Sequence, residues 1–380
     1  MKKYGIIVEY NPFHNGHLYH LKQIKQNEDD CIIAVMSGNF SQRGEPTIID
    51  KHLRTKLALT AGVDIVIELP YLYAVSHADL FSFGAISILN NCGVSEIVFG
   101  SETNDINLLS AIASIIDKPE FQEEVALNMQ LGKSFPESNS IAIQKIFNHD
   151  ITLDANDILA IQYIRQIKKL DLAMNYRSIK RIHNKYHDKE IREIGIASAT
   201  SIREALKNKH QISHTIPNYT IETLSKHPLH FWDYYFPFLK YQIVSQNKKL
   251  SSIHDVNEGI EYALLEYIKK SDNFSSFVSN LISKRYTRGR IQRMLTHILN
   301  NVTKMEVEKL SLFSGPQYIR ILGFNKEKSN VIKDLKAISK IPIITNITKI
   351  NYPLVELDLR VSSIYHLTDN LQEQKIPIII

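Results

Sequence analysis

The chain has 380 residues, 44% of them hydrophobic and 22% charged, the composition of a soluble globular protein with two or three domains and a substantial core. Lys and Arg number 45 against 40 Asp and Glu, and the formal charge of +5 admits a nucleic-acid partner without requiring one. Cys31 and Cys92 have no neighbour at metal-ligand spacing, no apolar run reaches transmembrane length, and the run after Lys2 and Lys3 is too short for a signal peptide. A reducing cytoplasm and no membrane association are therefore expected.

In chain order, the first strand is expected at 4–9, followed by a turn at Asn11-Pro12 and a helix over 18–26. A strand at 31–37 leads into the glycine-punctuated loop 36–46, then a helix over 50–61 with Gly62 where a helix C-terminal glycine belongs. Strands at 63–69 and 96–100 flank a helix over 77–90, several helices fill 105–169, and a strand follows at 178–182. The strands are unbroken apolar runs, as Ile65-Val66-Ile67 is, which suits a parallel sheet covered on both faces. Alternating strands and helices predict a doubly wound α/β fold, a parallel sheet that binds ligands at the carboxyl ends of its strands, over residues 1–210. Residues 211–380 read as a second, mainly helical domain. There the aromatic cluster 231–238 is read as core or interface packing rather than a base-stacking platform, and short strands are expected at 341–344 and 354–359.

His14-Asn15-Gly16-His17 falls between the first strand and the first helix. A strand, a tight loop and a helix N-terminus hold phosphates in α/β proteins, and two imidazoles add donors at that point. Gly16 is expected to leave room for a nucleotide against the backbone. The string reads as the signature of HIGH-type nucleotidyltransferases, which bind ATP; half of a metal site is the weaker reading, since metal clusters need more ligands nearby. Ser198-Ala199-Thr200-Ser201-Ile202-Arg203 offers cap hydroxyls, free amides and a guanidinium, a second anion site or an ordinary helix cap. Arg43 lies in a loop at the ligand edge, and the next helix carries Lys51, His52, Arg54 and Lys56, read either as a solvated basic face or as a source of one phosphate contact. The acid-free run Lys284, Arg285, Tyr286, Thr287, Arg288, Gly289, Arg290, Ile291, Gln292 and Arg293 precedes a one-sided apolar helix. It is the candidate RNA-binding surface, through Lys284, Arg285, Arg288, Arg290 and Arg293.

Ile7 through His17, Ser37 through Gly44 and Phe99-Gly100-Ser101-Glu102 together resemble the bacterial tRNA(Met) cytidine acetate ligases, nearly along the whole chain and most densely before residue 105. The resemblance implies ATP contacts from Ile7, Val8, Glu9, Tyr10, Asn11, Pro12, Phe13, His14, Asn15, Gly16, His17, Leu18, Tyr19 and His20. It also implies contacts at Gly100, Asn156, Arg181 and Ile182, with Mg²⁺ accompanying the nucleotide. The implied reaction activates acetate as acetyl-adenylate and then acetylates the wobble cytidine of elongator tRNA(Met), giving N4-acetylcytidine. His14, His17 and Arg203 are the candidate catalytic residues, because the task is to stabilise phosphoryl charge; acetate needs no general base. The chain lacks a lysine-rich K-M-S-K-S loop, which weakens an aminoacyl-tRNA synthetase reading. Two alternatives stand beside the ligase: a small-molecule adenylyltransferase of coenzyme biosynthesis, and a non-catalytic RNA-binding module with an ATP pocket.

Overall fold

The computed structural model describes residues 1–148, 150–182, 195–350, 352–369 and 371–380. Its frame is an eight-stranded sheet built from β1 (Lys3–Val8), β2 (Cys31–Ser37), β3 (Ile65–Leu69), β4 (Glu96–Ser101), β5 (Asn175–Lys180), β6 (Ile319–Phe324), β7 (Ile343–Ile344) and β8 (Ile378–Ile379). The order is β5-β4-β1-β2-β3-β6-β7, with β8 pairing β6. Every neighbour is parallel except β3 and β6, which run antiparallel. The sheet is thus mixed and mostly parallel.

Alternate residues of β2 explain why its sequence is apolar throughout. Cys31, Ile33 and Val35 join the core on one face, while Ile32, Ala34 and Met36 join the core on the other. Helices cover both faces, among them Asn15–Lys22, Lys51–Thr60, Ala78–Asn91 and Ala155–Lys169. Asp50 starts the Lys51–Thr60 helix by accepting from the Leu53 amide at 2.7 Å, and Gly62, at φ +107°, ends the turn after it.

The later part of the chain is mainly helical, with helices Trp232–Ser245, Ile260–Lys270, Phe274–Leu281 and Arg288–Leu299 packed together. Trp232 stacks on Phe274 with ring centroids 4.2 Å apart, so this tryptophan is packing. The same region also supplies β6, β7 and β8, which extend the sheet beyond β3. The strand expected at 354–359 is instead part of the helix Pro353–Tyr365. Pro353 starts that helix, and Leu354, Leu357 and Val361 fall on one buried face. No helix among the described residues is long and apolar enough to cross a membrane.

Candidate active site

The chain order of the strands reverses at β1, whose neighbours are β2 on one side and β4 on the other. Such a reversal opens a crevice at the carboxyl ends of the strands. A cleft of about 960 Å³ lies there, walled by the ends of β1, β4 and β5, the start of the Asn15–Lys22 helix, the 41–45 loop and the segment 195–203.

His14 and His17 cap the first helix reciprocally. His14 Nδ1 accepts from the Gly16 amide at 3.0 Å, and His17 Nδ1 accepts from the His14 amide at 3.3 Å. A ring nitrogen that accepts carries no proton, so the proton of each neutral ring sits on Nε2. The rings stack with centroids 3.6 Å apart. Burial, followed by the nearby Arg181, pushes His14 down to about 3; burial and His14 itself push His17 well below its ordinary value. Both are therefore neutral donors at physiological pH. Gly16 is required by the ring beside it: a Cβ there would lie 2.8 Å from His14 Cε1. Its small size serves the cap before it serves any ligand.

Glu102 organises the opposite wall. It accepts from Asn156 Nδ2 at 2.5 Å and from the Asp157 amide at 3.2 Å, and pairs with Arg181 Nε at 3.2 Å. Asp157, fully buried, accepts from Ser101 Oγ at 2.5 Å and the Glu102 amide at 3.0 Å, which fixes the turn after β4. A Cβ at Gly100 would come within 3.2 Å of Arg181 Cγ, so the glycine lets Arg181 cross the strand end.

Arg203 spans two loops, donating to the Asn11 carbonyl at 2.8 Å and to Glu45 at 2.6 Å. Ser198 caps the Ala199–Lys207 helix by accepting from the Ser201 amide at 3.1 Å, and Ser198 through Ser201 line the cleft. Glu9 accepts from the Gln42 amide at 2.7 Å; burial raises its pKa, opposed by that amide and by Arg203.

Of the expected nucleotide contacts, Ile7, Val8, Glu9, Tyr10, Asn11, His14, Gly16, His17, Tyr19, His20, Gly100, Asn156, Arg181 and Ile182 line the cleft. Pro12, Phe13, Asn15 and Leu18 lie off its wall. Phe13 is fully buried against Tyr10, and Leu18 packs on the same core. Asn15 donates to the carbonyls of Gly195 and His214, tying the 195–203 wall to the first helix.

The full length of the chain falls into a known family. A model of HIGH Nucleotidyl Transferase matches residues 1–376. The tRNA(Met) cytidine acetate ligase of Geobacillus sp. (strain WCH70) is 41% identical over 380 residues, covering 96% of this chain and 94% of that protein. The Bacillus subtilis (strain 168) tRNA(Met) cytidine acetate ligase is 38% identical, covering 97% of this chain and 92% of that protein. The chain belongs to the tRNA(Met) cytidine acetate ligase family. The crystal structure of Thermotoga maritima TmcAL bound with alpha-thio ATP superposes with a TM-score of 0.88 at 31% identity, covering 100% of both chains. The mixed α/β sheet with its helical region is thus the fold of this ligase family.

Two basic stretches are less exposed than a solvated basic face would be. Lys51, His52 and Arg54 are buried, and only Lys56 of that set faces solvent. Arg54, with none of its surface exposed, donates to the carbonyls of Glu9 (2.7 Å), Ser37 (3.0 Å), Ile49 (3.2 Å) and Gly38, holding the ends of β1 and β2 in place. Lys51 pairs with Glu68 at 2.6 Å and Glu373 at 3.1 Å; Arg320 on β6 pairs with the same two acids. In the basic run, Lys284, Arg285 and Arg288 are exposed. Arg290 instead lies over the Tyr286 ring at 4.2 Å and within 3.7 Å of Glu258, and Arg293 is partly buried facing Asp255. Glu102, Asp157 and Arg54 are organising residues that pattern alone did not reveal, because their partners lie on other elements.

Proposed function

We infer that this protein is an ATP-dependent tRNA(Met) cytidine acetate ligase that forms acetyl-adenylate and then N4-acetylcytidine at the wobble position of elongator tRNA(Met). The reciprocal His14/His17 cap carries the reading: two neutral Nε2–H donors stand at a helix N-terminus where a crevice opens between strands. ATP occupies this cleft, with its phosphates toward His14, His17 and the amides of the first helix, and with Gly100, Asn156, Arg181 and Ile182 on the opposite wall.

In the first step an acetate oxygen forms a bond to the α-phosphorus as the bond to the bridging oxygen breaks, releasing pyrophosphate. Donors aimed at the phosphoryl oxygens stabilise the charge that develops there, and each is worth about 10²–10³ in rate. Arg203 sits between Asn11 and Glu45, where it also screens the anion–anion approach of acetate and ATP. In the second step the cytidine N4 attacks the acetyl carbonyl, the bond to the adenylate oxygen breaks, AMP leaves, and N4 gives up a proton. The cytidine must leave its stack to reach the cleft.

The carboxylates lining the cleft, Glu9, Glu45 and Glu102, each hold a backbone amide, an arginine or both. They do not form a ready cage for a resident Mg²⁺, so the ion is assigned to the substrate, entering on the ATP phosphates. The tRNA backbone is assigned to the exposed Lys284, Arg285 and Arg288, with Arg290 and Arg293 as inner supports, and the enzyme to the cytoplasm. The test is ATP–pyrophosphate exchange with and without acetate, followed by acetyl transfer to tRNA(Met) transcripts carrying cytidine or uridine at the wobble position. Acetate-dependent exchange and transfer to the cytidine transcript alone are expected, both falling at least about 100-fold in His17→Ala. Normal exchange in His17→Ala overturns the mechanism.

A further inference from the structure

Away from the nucleotide cleft, His254, Asp255 and His297 bring three ligand atoms within 4.8 Å of one another. His254 and Asp255 follow the turn Asn247–Ser252, and His297 lies near the end of the Arg288–Leu299 helix. The His254 amide bonds to the Val302 carbonyl at 2.8 Å, so the two segments already run side by side.

His297 has the surroundings of a metal ligand. It is fully buried, its Nδ1 meets the Tyr71 hydroxyl at 3.0 Å, and its Nε2 has no hydrogen-bond partner. That nitrogen faces Asp255 Oδ2 at 3.8 Å, and His254 Nε2 is also 3.8 Å from the Asp255 carboxylate. A hydroxyl holding one ring nitrogen while the other is left bare is the outer-shell pattern that orients metal-binding imidazoles. A buried nitrogen with no partner is costly to leave so.

We propose that His254, Asp255 and His297 bind a divalent transition ion of the Zn²⁺ type, with water in the fourth position. Donors at about 2.0–2.2 Å from one tetrahedral ion lie roughly 3.4 Å apart, so the ligand atoms, now within 4.8 Å of one another, must draw together by side-chain rotations. His254 and Asp255 are partly exposed and can make them. Two imidazoles and one carboxylate favour Zn²⁺ over Mg²⁺ or Ca²⁺, which take oxygen ligands. The ion staples the 253–256 segment to the Arg288–Leu299 helix, beside Arg293. The opposing reading has no metal: Arg293 and His77 balance Asp255, and the His297 ring donates a hydrogen bond to the Val75 backbone.

The experiment uses untagged full-length protein, stripped with chelator, exposed to Zn²⁺ or Co²⁺ and desalted. Wild type is expected to retain one more ion per chain than His254→Gln or Asp255→Asn, and to show the visible bands of four-coordinate Co²⁺ that both variants lack. His14→Ala, which alters the histidine pair of the nucleotide cleft, is expected to retain the ion and the bands. Zn²⁺ is expected to raise the melting midpoint of wild type by about 3 °C at saturating excess and leave the variants where they are. Both substituted side chains are partly exposed, so equal metal-free midpoints verify folding. Equal metal content in wild type and variants, or Co²⁺ bands that survive the substitutions, overturns the site.

Discussion

Gly16 separates two effects that usually travel together. Alanine favours a helix over glycine by about 0.5–1 kcal/mol, yet a Cβ here meets the His14 ring at 2.8 Å. Gly16→Ala is therefore expected to leave the melting midpoint within a few degrees while acetate-dependent exchange falls about 100-fold, as the tilted ring loses its aim. Equal losses of stability and activity would place the glycine in the fold instead. The buried histidines also set an acid limit. His14 at about 3 and His20 at about 4 bind protons more weakly folded than unfolded, because burial resists the charge. Between those values and the unfolded value of about 6.5, the unfolded chain holds more protons, so this part of the stability is lost as pH falls. Each ring contributes about 1.4 kcal/mol per pH unit in that window. Urea unfolding at pH 7 and pH 5 is expected to show a loss about 2 kcal/mol smaller in His14→Gln than in wild type.

Arg54 shows how much of an element's position can rest on a side chain from elsewhere. Its guanidinium satisfies carbonyls at the ends of β1 and β2 and before the Lys51–Thr60 helix. Arg54→Met leaves those carbonyls buried without donors, and a loss of about 3–5 kcal/mol in urea unfolding is expected. Lysine should not rescue it, since a point charge cannot copy the planar fork. The sequence made β2 readable because every residue from Cys31 to Ser37 is buried, and the His-x-Gly-His string was readable because its cap is local. For Arg54 the sequence offers a solvated basic face or a phosphate contact and not this role, since its acceptors are backbone atoms with no signature. β6 was missed for a related reason. Its Ile319-Arg320-Ile321-Leu322-Gly323-Phe324 run carries a charge and a glycine, and Glu68, Glu373 and the Gln374 carbonyl, all distant in sequence, make Arg320 acceptable inside. The Leu354–Leu359 stretch is the opposite case: its apolar residues suggest a strand, but Pro353 just before them starts a helix.

Across the molecule, Gly44 joins the nucleotide cleft to the helical region. Its φ is +74°, and a Cβ would lie 2.6 Å from the backbone of Gln292 and Arg293. Its carbonyl accepts from Trp232 Nε1 at 3.0 Å and Thr296 Oγ1 at 2.8 Å. Gly44→Ala is expected to reduce acetyl transfer to tRNA more than acetate-dependent exchange, since the loop rather than the His14/His17 cap is displaced. Loss of both in equal measure would show that the two regions act as one piece. The basic run divides by exposure: Arg288→Ala should lower the salt dependence of tRNA binding by about one unit, as loss of a phosphate contact does. Arg290→Ala should change it less, because that guanidinium is already committed to Tyr286 and Glu258.

The antiparallel pairing of β6 with β3 also has a consequence for synthesis. While the ribosome makes residues 70–318, β3 has β2 on one side and nothing yet to pair on the other. Its buried Glu68 likewise waits for Arg320, though Lys51 is already available to it. A nascent chain in that condition carries a bare, strongly apolar sheet edge, the kind that pairs with other chains. Stalled or truncated products ending before residue 319 are thus the forms most prone to aggregate, and chaperone dependence should fall sharply once translation passes residue 324.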